Sequence, residues 1–330
     1  MLARLIVPIA CAVALSCAAP GDPAAQPPAK VFRIGVLDSV PIASNEANVA
    51  AFRRAMRELG YVEGHNLAIE YRSADGRPER FTDLARELVK LDVDAIVTSG
   101  NPAAVAAKHA TRTIPIVMAS SFAPVEEFIV ASLARPGGNV TGFHLMAPYS
   151  LGATRLHLLK ELAPGITRLG VFSNPGDLYT VLALKQIEPA ARSAGLSITT
   201  LEVNRPWEFD RAFETALVGQ VDALVATDDY LAIGERARIV GFAAMSRIPA
   251  VYALREFVEA GGLMAYGTDR RDLLRRAAAT VHKVLTGTRP ADLPIEGPAK
   301  FELVINRKTA TTLGLTIPPS LLRRADQIID

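Results

Sequence analysis

Three short strings of this chain recur, in the same order, one domain length further on. Arg33-Ile34-Gly35-Val36-Leu37 returns as Arg168-Leu169-Gly170-Val171-Phe172, and Val93-Asp94-Ala95-Ile96-Val97 returns as Val221-Asp222-Ala223-Leu224-Val225. Ile114-Pro115-Ile116-Val117 then returns as Ile248-Pro249-Ala250-Val251. The offset is roughly 130 residues, far longer than a solenoid repeat and about the size of a domain. A chain written twice in this way is constrained to two similar α/β lobes, and two lobes facing each other enclose a cleft.

The length allows this. The chain has 330 residues, 50% of them hydrophobic, enough for two cores of roughly 130–150 residues each. Lys plus Arg number 36 against 34 Asp plus Glu, so neither an electrostatic footprint for nucleic acid nor a polybasic membrane surface is present.

The first residues belong to neither copy. Arg4 precedes an apolar run from Leu5 to Leu15, too short to span a bilayer comfortably and matching the core of a secretory signal, which is read over residues 1–17. Ala14-Leu15-Ser16 suits ordinary signal cleavage, whereas Leu15-Ser16-Cys17 resembles a lipoprotein box shifted by a place, with Cys17 as the acylated residue. The residues allow both, so the product is expected in the periplasm or lipid-anchored to the outer face of the cell membrane. Residues 18–30 are rich in Pro and Ala and read as a flexible tether. Both cysteines, Cys11 and Cys17, lie in this leader, so no disulfide is expected in the folded part although the compartment would permit one.

After Lys30, short apolar runs alternate with amphipathic stretches. Strands are predicted over 32–37, 67–71, 93–98 and 114–118, with helices over 45–59, 78–91 and 102–109 between them. The second half repeats the order, with strands over 168–172, 196–203, 221–226 and 248–252. Its helices are expected over 150–162, 178–194, 208–217 and 230–245. The alternation implies doubly wound parallel sheets, one per lobe. Glycine-rich punctuation at 135–142 and 261–267 marks crossings between lobes, which the helix over 269–285 follows. The predicted division is 31–146 plus 266–296 for the first lobe and 147–265 plus 297–330 for the second, joined by several crossing segments.

In parallel sheets, ligands bind outside the carboxyl ends of the strands. The candidate lining is then Asp38 and Ser39, Ser99, Gly100 and Asn101, and Ser120, Ser121 and Phe122 from the first lobe. The second lobe contributes Asn174, Asp228, Asp229 and Tyr252. The first turn after Gly100-Asn101-Pro102 favours a carboxylate, unless it is only a helix start. Asp228 and Asp229 favour an ammonium group, unless one of them is only a helix cap. An amino-acid-like ligand follows, with Phe122, Tyr252 and Tyr149 as candidates for a flat apolar wall.

Catalytic and metal signatures do not appear. The five histidines are scattered without ligand spacing, and no nucleophile elbow, phosphate loop or dinucleotide fingerprint occurs. Asp94, Asp222 and the Glu126-Glu127 pair read as solvated edges, and Arg270, Arg271, Arg275 and Arg276 as a solvated or partner-docking face of one helix. No metal or cofactor is expected. An enzyme using Asp38, Asp228 and Asp229 as acid–base groups, or an exported sensor that signals to a receptor, are the alternatives to a carrier.

Longer strings carry a resemblance. Tyr61-Val-Glu-Gly-His-Asn-Leu-Ala-Ile-Glu-Tyr-Arg72, Ser132-Leu-Ala-Arg-Pro-Gly-Gly-Asn-Val-Thr-Gly142 and Arg255-Glu-Phe-Val-Glu-Ala-Gly-Gly-Leu-Met-Ala-Tyr-Gly267 resemble the tryptophan/tyrosine type of ABC transporter substrate-binding proteins. So do Lys300-Phe-Glu-Leu-Val-Ile-Asn306 and Thr316-Ile-Pro-Pro-Ser-Leu-Leu322, and the likeness covers residues 32–329. It implies a type I periplasmic-binding-protein fold, a monomer that closes around a small molecule, and delivery to an inner-membrane permease. It also implies ligand contacts at Gly100-Asn101, Asn174 and Asp228-Asp229. The chain departs from the family pattern at Ala123-Pro124, where Asp-Pro is frequent, and at Asp229, where Asn is frequent; both bear on aromatic specificity.

Overall fold

The computed structural model describes residues 30–145 and 151–330. The signal, the tether through residue 29, Cys11, Cys17 and Tyr149 lie outside the described residues, so the expectations placed on them are not addressed by the fold.

The first lobe is a parallel sheet with helices on both faces, built from β1 (Phe32–Asp38), α1 (Ile42–Glu58), β2 (Leu67–Ser73), α2 (Phe81–Lys90), β3 (Ala95–Ser99), α3 (Asn101–Ala110), β4 (Ile116–Ser120) and β5 (Val140–Gly142). The strands run parallel in the order β2-β1-β3-β4-β5. The second lobe begins with α4 (Leu151–Leu162), β6 (Arg168–Ser173), α5 (Leu178–Ser193), β7 (Ser197–Glu202), α6 (Phe209–Val218) and β8 (Ala223–Ala226). It continues with α7 (Tyr230–Gly234), α8 (Arg236–Met245), β9 (Ala250–Tyr252), α9 (Arg255–Glu259) and β10 (Met264–Thr268). After α10 (Arg270–Leu285) come β11 (Phe301–Asn306), α11 (Arg307–Thr312), α12 (Pro319–Arg324) and β12 (Gln327–Ile329). This sheet has the order β12-β11-β10-β9-β8-β6-β7, parallel except where β11 meets β10.

The inner strands are mostly apolar because both faces of each sheet are covered, whereas the edge strands β2 and β7 carry polar residues and are only partly buried. In the first lobe, Phe52 and Met56 of α1 pack with Leu273 and Ala277 of α10 on one face, while Leu84 and Leu88 of α2 pack with Ala103 and Ala107 of α3 on the other. In the second, Phe209 of α6 and Phe242 of α8 cover one face, and Leu159 of α4 and Ile187 of α5 the other. The two-lobed α/β architecture is therefore the one the repeats imply.

The duplication extends to detail. Asp94 accepts the Arg33 backbone N–H at 2.7 Å, and its counterpart Asp222 accepts the Arg168 N–H at 2.7 Å and the Thr167 N–H at 3.0 Å. Each carboxylate thus fastens the start of the neighbouring strand, a role beyond the solvated edge read from sequence. Gly35 and Gly170 occupy equivalent places where an added Cβ would stand 3.0 Å from Leu88 and 2.9 Å from Leu224, so helix or neighbour packs directly on backbone.

Other differences from the sequence reading are local. The helix predicted over 230–245 is two helices, with Glu235 at φ −97° and ψ 15° between them. The strand through Thr268 belongs to the second sheet, so the chain returns to the first lobe at Asp269, after the crossing expected near 266. Arg270, expected on a solvated face, is buried and faces Glu256 at 3.6 Å.

Candidate functional site

The carboxyl ends of β1, β3 and β4 face those of β6 and β8, and a cavity lies between them. Asp38, Ser39, Ser99, Gly100, Asn101, Ser120, Ser121 and Phe122 all line it from the first lobe, as the strand-end rule places them. From the second lobe Asp228 lines it, together with Asp177, Tyr179 and Tyr230.

Each first-lobe loop is held by its own side chains. Asp38 accepts N–H bonds from Ser39 (2.6 Å) and Val40 (3.3 Å) and one from the Asn45 amide (2.7 Å). Its charge is spent on closing the β1 loop. Gly100 has φ 86°, a left-handed conformation that a side chain would strain. Asn101 opens α3, and its side chain turns to the neighbouring loop: its Oδ1 accepts from the Ser121 hydroxyl (2.7 Å) and the Phe122 N–H (2.8 Å), while its Nδ2 donates to the Phe122 carbonyl (2.7 Å). That double bond of amide to backbone fixes Phe122, whose ring meets Tyr179 of the opposite lobe edge-on at 4.4 Å between centroids.

The second lobe separates the residues that sequence grouped. Asp229 is 3% exposed and caps α7, accepting the Leu231 and Ala232 N–H groups at 3.1 and 3.2 Å. Asn174 donates to Asp229 at 3.2 Å and accepts from the Gly176 N–H at 3.0 Å, so both are spent on the loop framework behind the cavity. Asp177 caps α5 through the Tyr179 N–H at 2.9 Å. Burial and then the charge of Asp177 push the Asp229 carboxyl up to about 8, and burial likewise raises Asp177. Asp228 is left facing the cavity, with a buried Oδ1 that has no hydrogen-bond partner.

Tyr252, expected as a wall, lies in the core of the second lobe. Successive residues of a strand point to opposite faces, and Ala250 and Tyr252 point away from Val251, toward α9, where the Tyr252 ring stacks on Phe257 at 4.8 Å. The aromatic wall comes instead from Phe122 and Tyr179. A second cavity continues past this pair, lined by Leu145, Arg155, Gln186 and Thr268. Arg155, Asp177 and Tyr179 carry no sequence signal for a site, since each sits in or beside an ordinary amphipathic helix.

Two α/β lobes with a polar cleft between their strand ends define a solute-binding protein of the type I periplasmic class. Residues 33–329 match the ABC transporter substrate binding protein family, and the chain belongs to that family. It is 27% identical over 286 residues to a tyrosine-binding protein of Clostridioides difficile, covering 87% of this chain and 82% of the relative. Among solved structures it is similar to a conserved domain protein of Vibrio cholerae (TM-score 0.82, 28% identity, 91% of this chain and all of that one). It is equally similar to a Streptococcus pneumoniae ABC domain in complex with L-Trp (TM-score 0.81, 28% identity, 90% and 99%). The protein is thus the extracytoplasmic substrate-binding component of an ABC transporter, with a small-molecule ligand and a permease as partners. Among the described residues, no helix is long and apolar enough to cross a membrane.

Proposed function

We propose that the ligand is an amino acid with an aromatic side chain, captured between the lobes by hinge closure and passed on chemically unchanged. The observation that carries this reading is Asp228, a carboxylate that faces the cleft with one buried oxygen unpartnered, next to the Phe122–Tyr179 ring pair. A buried carboxylate oxygen without a partner calls for a donor, and an ammonium group supplies one with charge. The names of the C. difficile relative and the S. pneumoniae complex point to the same ligand class.

The protein acts as a monomer held at the outer face of the cell membrane through Cys17, or free in the periplasm once the leader is cleaved. No covalent step belongs to this reading, which sets it against the acid–base enzyme. Calorimetric titration with L-tryptophan, L-tyrosine, L-phenylalanine and L-leucine tests it. The aromatic amino acids are expected to bind near micromolar, about −8 kcal/mol, and Asp228→Asn to weaken them at least about tenfold. No binding by any of them, or undiminished binding by Asp228→Asn, overturns it.

A further inference from the structure

The cleft has two chambers. The one between the strand ends offers about 70 Å³, and the one behind Phe122 and Tyr179 about 200 Å³; both are bordered by Leu145 and Asp228 as well as the two rings. The larger chamber holds a feature with no structural explanation. Arg155 on α4 is only 3% exposed, and its Nε donates to the Tyr266 carbonyl at 2.7 Å. Among the described residues it forms no ion pair. The other buried arginine at the cleft, Arg270, is compensated by Glu256 at 3.6 Å. A buried cation without a counter-charge is costly, and proteins keep one where something else brings the charge.

Two carboxylates line the same chamber, Glu126, which is exposed, and Asp228, whose buried Oδ1 has no hydrogen-bond partner. Tyr179, Asp228 and Arg155 all line the larger chamber, and among the described residues the two charged groups do not pair with each other. A cation and an anion therefore line one chamber together with Tyr179, and Asp228 and Tyr179 also border the smaller one. An amino acid carries the complementary charges on groups joined through a single carbon. Gly267 helps to hold the space, because a Cβ there would stand 3.3 Å from an Arg155 terminal nitrogen.

We infer that Arg155 is the receptor for a free carboxylate of the ligand, with Asp228 taking the neighbouring ammonium group, so that the ligand's charged head sits at Tyr179. This rests on the amino-acid reading of the cleft, and it moves the carboxylate away from the first turn of α3. There the side chain of Asn101 is already engaged with Ser121 and Phe122. The planar guanidinium fork suits a carboxylate, and the low-dielectric surroundings strengthen the contact.

The test varies ligand and protein together. L-Tryptophan and L-tyrosine are compared with tryptamine and tyramine, which lack the carboxylate, and with indole-3-propionate, which lacks the ammonium group. Each is titrated against the wild type, Arg155→Met and Arg155→Lys. Every carboxylate-bearing compound that binds the wild type is expected to lose on the order of 10- to 100-fold affinity in Arg155→Met and less in Arg155→Lys. Tryptamine and tyramine are expected to bind the wild type weakly and to be indifferent to Arg155→Met. The inference falls if the amines bind the wild type as well as the amino acids do, if Arg155→Met binds undiminished, or if no carboxylate binds. Indole-3-propionate bound in an Arg155-dependent way, with the amino acids rejected, keeps the inference and ends the amino-acid reading. Should Arg155→Met fail to fold, the wild-type comparison of amino acid with amine still decides.

Discussion

Asn48 of α1 donates its side-chain amide to Oε1 of Glu256 in α9 at 2.7 Å, a buried hydrogen bond that joins the two lobes. The bond ends a relay, since Asn48 also donates to Asn45 and Asn45 to Asp38 at the floor of the cleft. Arg270 approaches the same Glu256 oxygen. The relay runs from Asp38, which lines the cavity, across to the second lobe.

Removing Glu256 is therefore expected to loosen closure, and it also takes the counter-charge from Arg270 at the edge of the smaller chamber. Glu256→Ala is expected to lose about 1.5–3 kcal/mol from the closed form, as for a hydrogen bond to a charged group. In stopped-flow measurements this appears as faster ligand release with little change in the association rate. An unchanged release rate would show that the bond contributes nothing to closure.

Phe122 offers a clean truncation. Asn101 holds its backbone N–H and carbonyl, so Phe122→Ala deletes the ring and leaves the loop anchored. Loss of the edge-to-face contact with Tyr179 is worth about 0.5–1.5 kcal/mol beyond area burial. Affinity for the aromatic amino acids is expected to fall roughly tenfold, with the melting temperature of the unliganded protein shifted by only a few degrees. A large drop in that melting temperature with affinity intact would assign the ring to the core instead.

Asp229 makes stability depend on pH in the direction opposite to an ion-paired carboxylate. Its pKa, about 8 when folded, is above the unfolded value near 4, so the folded form holds a proton the unfolded chain releases. The stabilisation is complete below about pH 4 and disappears as pH rises through about 8, with a slope of up to about 1.4 kcal/mol per pH unit between them. Thermal unfolding should show a melting temperature that rises as pH is lowered from 8.5 to 6. Asp229→Asn keeps an acceptor for the α7 cap and should flatten that slope; an unaltered slope in this variant refutes the assignment.

Two glycines predict opposite outcomes for the same substitution. Gly241 lies inside α8 with nothing within 4 Å of an added Cβ, so Gly241→Ala is expected to stabilise by about 0.5–1 kcal/mol. A Cβ at Gly267 would stand 1.9 Å from the Ala253 carbonyl oxygen, and Gly267→Ala should destabilise by more than about 4 kcal/mol. Chemical denaturation of the two variants checks both.

Much of this was legible beforehand, and for identifiable reasons. Strands such as Ile116–Ser120 announce themselves because a parallel strand covered on both faces is apolar over most of its length. Their ends then locate Asp38, Ser99, Gly100, Ser120 and Phe122 at the cavity by topology alone. What failed to show were directions and partners. Whether Tyr252 faces cleft or core depends on the pleat of a three-residue strand, and whether Asp228 or Asp229 caps α7 depends on one residue of register. Arg155 is silent because an arginine among leucines on an amphipathic helix reads as the solvent side, and only the assembled lobes reveal that α4 has no solvent side there. The strand Val140–Gly142 was hidden by the Pro-Gly-Gly-Asn turn that leads into it.

The return of the chain to the first lobe passes through Thr268, Asp269 and Arg270, and the outer two of these border the larger and the smaller chamber respectively. This crossing therefore borders both chambers. Under the hinge closure proposed above, an occupant of either chamber lies beside one of the segments that join the lobes. Substitutions in this crossing are then expected to change affinity and the spacing of the lobes in the unliganded protein together.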